Sequence, residues 1–138
     1  MNGRVLQAQT SLLEPARLVR AYVLALGAGL LLEGGGLLLV NALALPLAVG
    51  TNDTRHNLLH VVWGIVLLAI AATPQGRDST RVAWAALVFG VFYVALGVLG
   101  VVLNQPFGLL LGPGENVFHF VVGPLALVLG VRALLRSG

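Results

Sequence analysis

The sequence predicts an all-α integral membrane protein. The expected fold is a four-helix bundle of two tandem helical hairpins, related by a pseudo-two-fold axis along the membrane normal, with both termini cytoplasmic. Three observations predict it. Of the 138 residues, 58% are hydrophobic and only 9% charged, more apolar surface than a soluble domain of this size can hide. The apolar residues gather in four runs near the ~20 residues needed to cross a ~30 Å hydrocarbon core. The basic residues collect at one set of run ends. A β-barrel is excluded, because its strands would alternate polar and apolar residues in short segments and these runs do not alternate.

Residues 1–17 read as a polar lead-in. Polar residues interrupt this stretch throughout, where a secretory signal has a continuous apolar core. The phrase SLLE before Pro15 offers a helix start. Residues 18–138 form the membrane domain. The first span covers about 18–45, stops at Pro46 and is followed by AVGTNDTR. The second covers about 54–73 and is closed by PQGRDS. The third covers about 80–103, closed by NQPFG and then GPG, and the fourth covers about 115–135. Helices are required because lipid offers no partners for backbone N–H and C=O groups.

The arginines orient the bundle. Arg4, Arg17 and Arg20 precede the first span, Arg77 and Arg81 join the second and third, and Arg132 and Arg136 end the fourth. Arg55 alone lies on the other side. This bias places the termini inside and the three histidines near the outer face. The net charge of +3 is thus a topology signal, and no nucleic-acid partner is expected. The basic set is all arginine, which fits a GC-rich bacterial genome and a bacterial cytoplasmic membrane. The chain has no cysteine, which removes disulfides, thiolate metal sites and covalent haem attachment.

The chain also reads as a duplication, about 18–76 and 77–138. At an offset of 61, Arg20 matches Arg81, Gly29 matches Gly90 and Gly36 matches Gly97. At an offset of 59, Asn57 matches Asn116, His60 matches His119, Gly64 matches Gly123 and His56 falls on Glu115. Two parallel copies of a hairpin predict the pseudo-two-fold axis. The phrases HNLLHVVWGIVLLA and ENVFHFVVG, with the glycine-rich odd spans, resemble the bacterial family called domain of unknown function 4383. The resemblance covers nearly all of the chain after Arg17. It implies four membrane helices, with an Asn-x-x-His phrase opening the even ones, and a membrane address. It implies no reaction. Glu33 and Glu115 depart from that pattern.

The polar residues carry three readings. In the leading one, Asn57, His60, Asn116 and His119 are an interhelical polar cluster that hydrogen-bonds across helices or to loop carbonyls, with Asp53 or Asn52 capping the second span. In the second, His56, His60, Glu115 and His119 converge on a zinc-type divalent ion, since each pair is four residues apart on one helix face. In the third, His60 and His119 are the axial ligands of one haem b. Gly64 and Gly123 would then make room and Arg55 would meet a propionate. Glu33, a carboxylate inside an apolar span, needs a partner. His60, His119, a neutral acceptor or another protein are the options. Tyr22, Trp63 and Trp84 are placed as headgroup anchors, whereas Tyr93 is too central and should face another helix.

No nucleophile–base set or phosphate loop is evident, and no enzyme activity is expected. The expected role is a structural or accessory subunit that packs in the bilayer against itself or a larger membrane complex, without a cofactor. A metal- or haem-binding protein is the alternative, and a small oligomeric transporter the second.

Overall fold

In the computed structural model, residues 14–46, 53–72, 78–103 and 105–136 are described. They form α1 (Pro15–Ala42), α2 (Thr54–Ala72), α3 (Ser79–Leu103) and α4 (Pro113–Leu135), with a 3-10 turn at Pro106–Gly108. The helices have 28, 19, 25 and 23 residues, and each is long and apolar enough to cross a membrane. No strand occurs among the described residues. The chain is an all-α four-helix membrane protein. Most of the expected lead-in, with Arg4, and parts of the first two loops, with Asn52 and Arg77, lie outside the described residues.

The ends of the helices follow from local chemistry. α1 starts at Pro15, three residues earlier than expected, because proline suits the first helical position. The Glu14 carbonyl accepts the N–H groups of Arg17 at 2.9 Å and Leu18 at 3.0 Å. α1 stops at Ala42 rather than 45, in a Schellman arrangement. Leu45 N–H donates to Val40 O and Ala44 N–H to Asn41 O, both at 3.1 Å. Ala44 takes the left-handed position, at φ 51°, where glycine is the usual occupant. α4 starts at Pro113, again with proline at the first position.

Close packing runs chiefly within two antiparallel hairpins, α1 with α2 and α3 with α4. Glycines set the approach. A Cβ at Gly64 would stand 2.8 Å from both Gly27 O and Leu31 N, and one at Gly123 would stand 3.0 Å from Val94 N and 3.2 Å from Gly90 O. Without a hydrophobic drive in lipid, such close backbone contact is what holds helix pairs together.

These seats correct the register of the duplication. Gly27, Leu31 and Gly34 correspond to Gly90, Val94 and Gly97, each 63 residues on, not 61. Buried α1 residues Val19, Val23 and Leu30 then fall on buried Val82, Ala86 and Tyr93. At 61, the same three fall on Thr80, Trp84 and Val91, none of them buried. The even helices keep the offset of 59, so that Gly64, Leu67 and Ala71 fall on Gly123, Ala126 and Gly130, all buried.

The two seams between hairpins differ. Tyr22 Oη donates to Val122 O at 2.6 Å and joins α1 to α4. The α2–α3 seam is looser and opens as an apolar groove lined by Trp63, Val66, Ile70, Trp84 and Val88. Tyr22 and Trp63 are therefore interior contacts rather than headgroup anchors. Trp63 sits in mid-helix against Phe89, Phe92 and Tyr93, with ring centroids 5.3–6.4 Å apart. Arg20 Nε caps the last turn of α2 by donating to Ala71 O at 3.1 Å. The antiparallel order puts Arg17, Arg81, Arg132 and Arg136 at that same end and Arg55 at the other.

Candidate metal centre

At the Arg55 end, one carboxylate organises the entry to α2. Asp53 Oδ1 accepts the Arg55 N–H at 2.9 Å, which caps the helix. Its Oδ2 accepts the Leu110 N–H at 2.8 Å, from the loop between α3 and α4. One side chain therefore starts α2 and ties the two hairpins together. Burial works to raise the Asp53 carboxyl, but the backbone N–H groups of Leu110, Arg55 and His56 outweigh it and hold it below the usual carboxylate range.

One turn inward, three imidazoles meet. His56 and His60 share a face of α2 with ring centroids 4.3 Å apart, and His119 of α4 lies 5.6 Å from His56. All three are buried, at 4%, 2% and 0% exposure. The paired glycines explain how. A Cβ on Gly34 would stand 2.9 Å from His60 Cβ, and one on Gly97 would stand 3.2 Å from His119 Cβ. His60 and His119 thus each lie over a glycine of the hairpin partner. Tyr93 edges onto His119 at 5.0 Å and stacks beside His60 at 6.2 Å, while Phe118 sits 5.9 Å from His60.

One potential ligand nitrogen from each histidine lies within 4.8 Å of the other two. Two nitrogens on a tetrahedral zinc are about 3.4 Å apart, given Zn–N distances of about 2.0–2.1 Å, so small side-chain rotations would close the set. His56 Nε2 and both ring nitrogens of His60 and His119 have no hydrogen-bond partner. Leaving one such group buried costs on the order of 1–3 kcal/mol.

The imidazoles of the expected cluster of Asn57, His60, Asn116 and His119 make no hydrogen bond to its amides, while the alternative contact to a loop carbonyl is made by Asn116. The imidazoles converge on a shared space instead of pairing with the amides. Asn57 is buried, at 2% exposure, and its carbonyl lies against Gly34. Asn116 Nδ2 reaches back to Leu111 O at 3.5 Å, and its buried Oδ1 lies against Gly100 without a hydrogen-bond partner. Glu115 is only half-buried and is not part of the ligand set. It stands near enough to act on the charges of His56 and His119.

The carboxylate that reaches the cluster is Glu33, whose Oε2 lies 3.1 Å from His60 Nδ1. The distance is that of an ion pair, but the oxygen lies off the line of a ring N–H, so a well-aligned hydrogen bond is not formed. The Glu33 side chain is 52% exposed on the outer side of α1. Holding a carboxylate in an apolar span costs about 2.5–3.5 kcal/mol on insertion scales.

A porphyrin does not fit between His60 and His119. The His56 ring fills the space beside both. Gly64 and Gly123, expected to make room for the macrocycle, are filled by the backbones of α1 and α3. Two groups do more than the sequence assigns to them. Asp53 was expected only as a cap, not as a tether. Tyr93 was expected to face another helix, but its place against two histidines was not foreseen. In the corrected register it matches Leu30, and both are fully buried.

No protein-family model, curated protein or solved structure matches this chain.

Proposed function

We propose that this chain is a small integral membrane protein that holds one divalent transition-metal ion of the zinc class on His56, His60 and His119. The single observation that carries the proposal is the convergence of three buried imidazoles, five of whose six ring nitrogens have no hydrogen-bond partner. One ion would satisfy three of those nitrogens at once. Neutral imidazole suits zinc, copper and nickel, and the absence of cysteine excludes a thiolate-selected ion. Three protein ligands leave a fourth position for water or an exchangeable group. The arginine distribution supports cytoplasmic termini in a bacterial membrane, with the metal centre near the outer face. No catalytic role is assigned. Passage of ions through the bundle is not supported either, since Leu30, Leu67, Phe89 and Ala126 form an apolar core.

The test is metal content. Protein purified in mild detergent and dialysed against zinc should retain about one ion per chain. A His56→Ala/His119→Ala variant of unchanged helicity should retain none. Equal retention by the two proteins would reject the proposal.

One observation favours a second reading, as an accessory subunit or homo-oligomer. Gly29, Glu33 and Gly36 are exposed along one face of α1, and a Cβ at either glycine meets nothing within 4 Å. Small residues on an outer face let another helix approach closely. Cross-linking from a cysteine at position 29, in native membranes, should capture a neighbouring chain if this reading is right and none if it is wrong.

A further inference from the structure

We infer that Glu33 is the positioning residue of this centre: its carboxylate receives the Nδ1–H of His60 and so presents Nε2 of that ring to the metal. The inference rests on the metal-binding reading above. Glu33 Oε2 already lies 3.1 Å from His60 Nδ1. Nδ1 and Nε2 point out of opposite edges of the imidazole, so one ring can meet the carboxylate and the ion together. A ligand histidine commonly donates its other N–H to a carboxylate, which fixes the tautomer and makes the ligand nitrogen more basic.

The duplication supplies an internal comparison. Sixty-three residues on from Glu33 stands Leu96, buried at 3% exposure. Neither His60 nor its counterpart His119 makes a well-aligned hydrogen bond, but it is the Nδ1 of His60 that a carboxylate oxygen approaches to 3.1 Å. The two equivalent histidines therefore differ in their surroundings, and on this inference His60 is the one whose tautomer Glu33 selects when the ion binds. That role also accounts for a carboxylate on an otherwise apolar helix face. A Cβ added at Gly29 or Gly36, on either side of it along the helix, would meet nothing within 4 Å, so the face around Glu33 is open.

The experiment compares wild type, Glu33→Gln and Glu33→Leu in detergent. Cobalt(II) is titrated by its visible bands, zinc affinity is obtained by competition, and ring-15N-labelled histidine reports the tautomers of the zinc-loaded protein. Replacing a charged residue of a lipid-facing helix by Gln or Leu keeps the fold, and helicity is checked for each. Wild type should bind one ion with His60 protonated on Nδ1. Glu33→Leu should lose about 10–100-fold in affinity and release the His60 tautomer, with His56 and His119 signals unchanged. Glu33→Gln, which keeps an acceptor without the charge, should fall between. Wild-type affinity and an unchanged His60 tautomer in Glu33→Leu would overturn the inference while the metal site stands. No binding by wild type would overturn both.

Discussion

The two hairpins are alike in packing and unlike in chemistry. Gly27, Gly34 and Gly64 of the first make the same close seats as Gly90, Gly97 and Gly123 of the second. Val19, Val23 and Leu30 are buried where Val82, Ala86 and Tyr93 are buried. The polar residues follow only in part. His56 stands opposite Glu115 and Glu33 opposite Leu96, while Asn57 with Asn116 and His60 with His119 agree. A membrane hairpin needs small residues in fixed register to bring its backbones together, and that requirement is the same in both copies. A metal centre on the pseudo-axis needs only one set of ligands, so the copies can differ there without loss of packing.

The comparison can be broken at its packing first, where the largest effects lie. Gly64→Val and Gly123→Val should each destabilise the bundle by about 1–3 kcal/mol or more, because the new side chain meets backbone that cannot yield. Gly29→Val and Gly36→Val, with open space around them, should leave the monomer near wild type. Reversible unfolding in mixed micelles would read the difference. If Gly29→Val were as damaging as Gly64→Val, the register of 63 would be wrong.

The chemistry is sharpened next. His56→Ala, His60→Ala and His119→Ala should each abolish tight zinc binding. Glu115→Gln should change it less than about threefold, as expected of a group outside the ligand shell screened by solvent. Titration calorimetry on the four variants would show whether His56 and Glu115, equivalent by sequence, are as different in role as their positions imply.

Smaller effects belong to the ends. Asp53→Asn keeps one acceptor oxygen but puts an NH2 donor in place of the other, so it can serve only one of the two N–H groups and should cost about 0.5–1.5 kcal/mol. Because Asp53 is held below its ordinary carboxylate range, its contribution is complete above the unfolded-state value of about 3.9. It fades as the pH falls through the lower folded-state value. Unfolding curves of wild type and Asp53→Asn should therefore converge in strong acid and separate at neutral pH. Ala44→Gly should stabilise the bundle by about 1 kcal/mol, since the left-handed backbone strains alanine but not glycine. A fall in stability at that position would contradict the capping geometry.

The four spans were legible because an apolar run of membrane length is a strong signal against a small charged fraction. The exact register of the duplication was not. Gly, Leu and Val recur so often in these helices that Gly29 and Gly36 align with Gly90 and Gly97 at an offset of 61. Only burial separates Gly29, which touches nothing within 4 Å, from Gly90, which packs on Gly123. The convergence of His56, His60 and His119 could be read from helical spacing and the repeat. His60 was also among the partners the sequence offered Glu33, but the exclusion of Glu115 could not be read, since it depends on how deep α4 sits relative to α2. Trp63 was misplaced for a related reason: aromatic character says that a side chain favours a packed or interfacial site, and only the fold says which.

The central claim is that three imidazoles share one ion, and X-ray absorption at the zinc edge tests it most directly. Zinc-loaded wild type should show histidine scattering from three imidazoles, with Zn–N distances of about 2.0–2.1 Å and one ion per chain. A spectrum of zinc bound only by water and carboxylate oxygen, identical in the His56→Ala/His119→Ala variant, would contradict it.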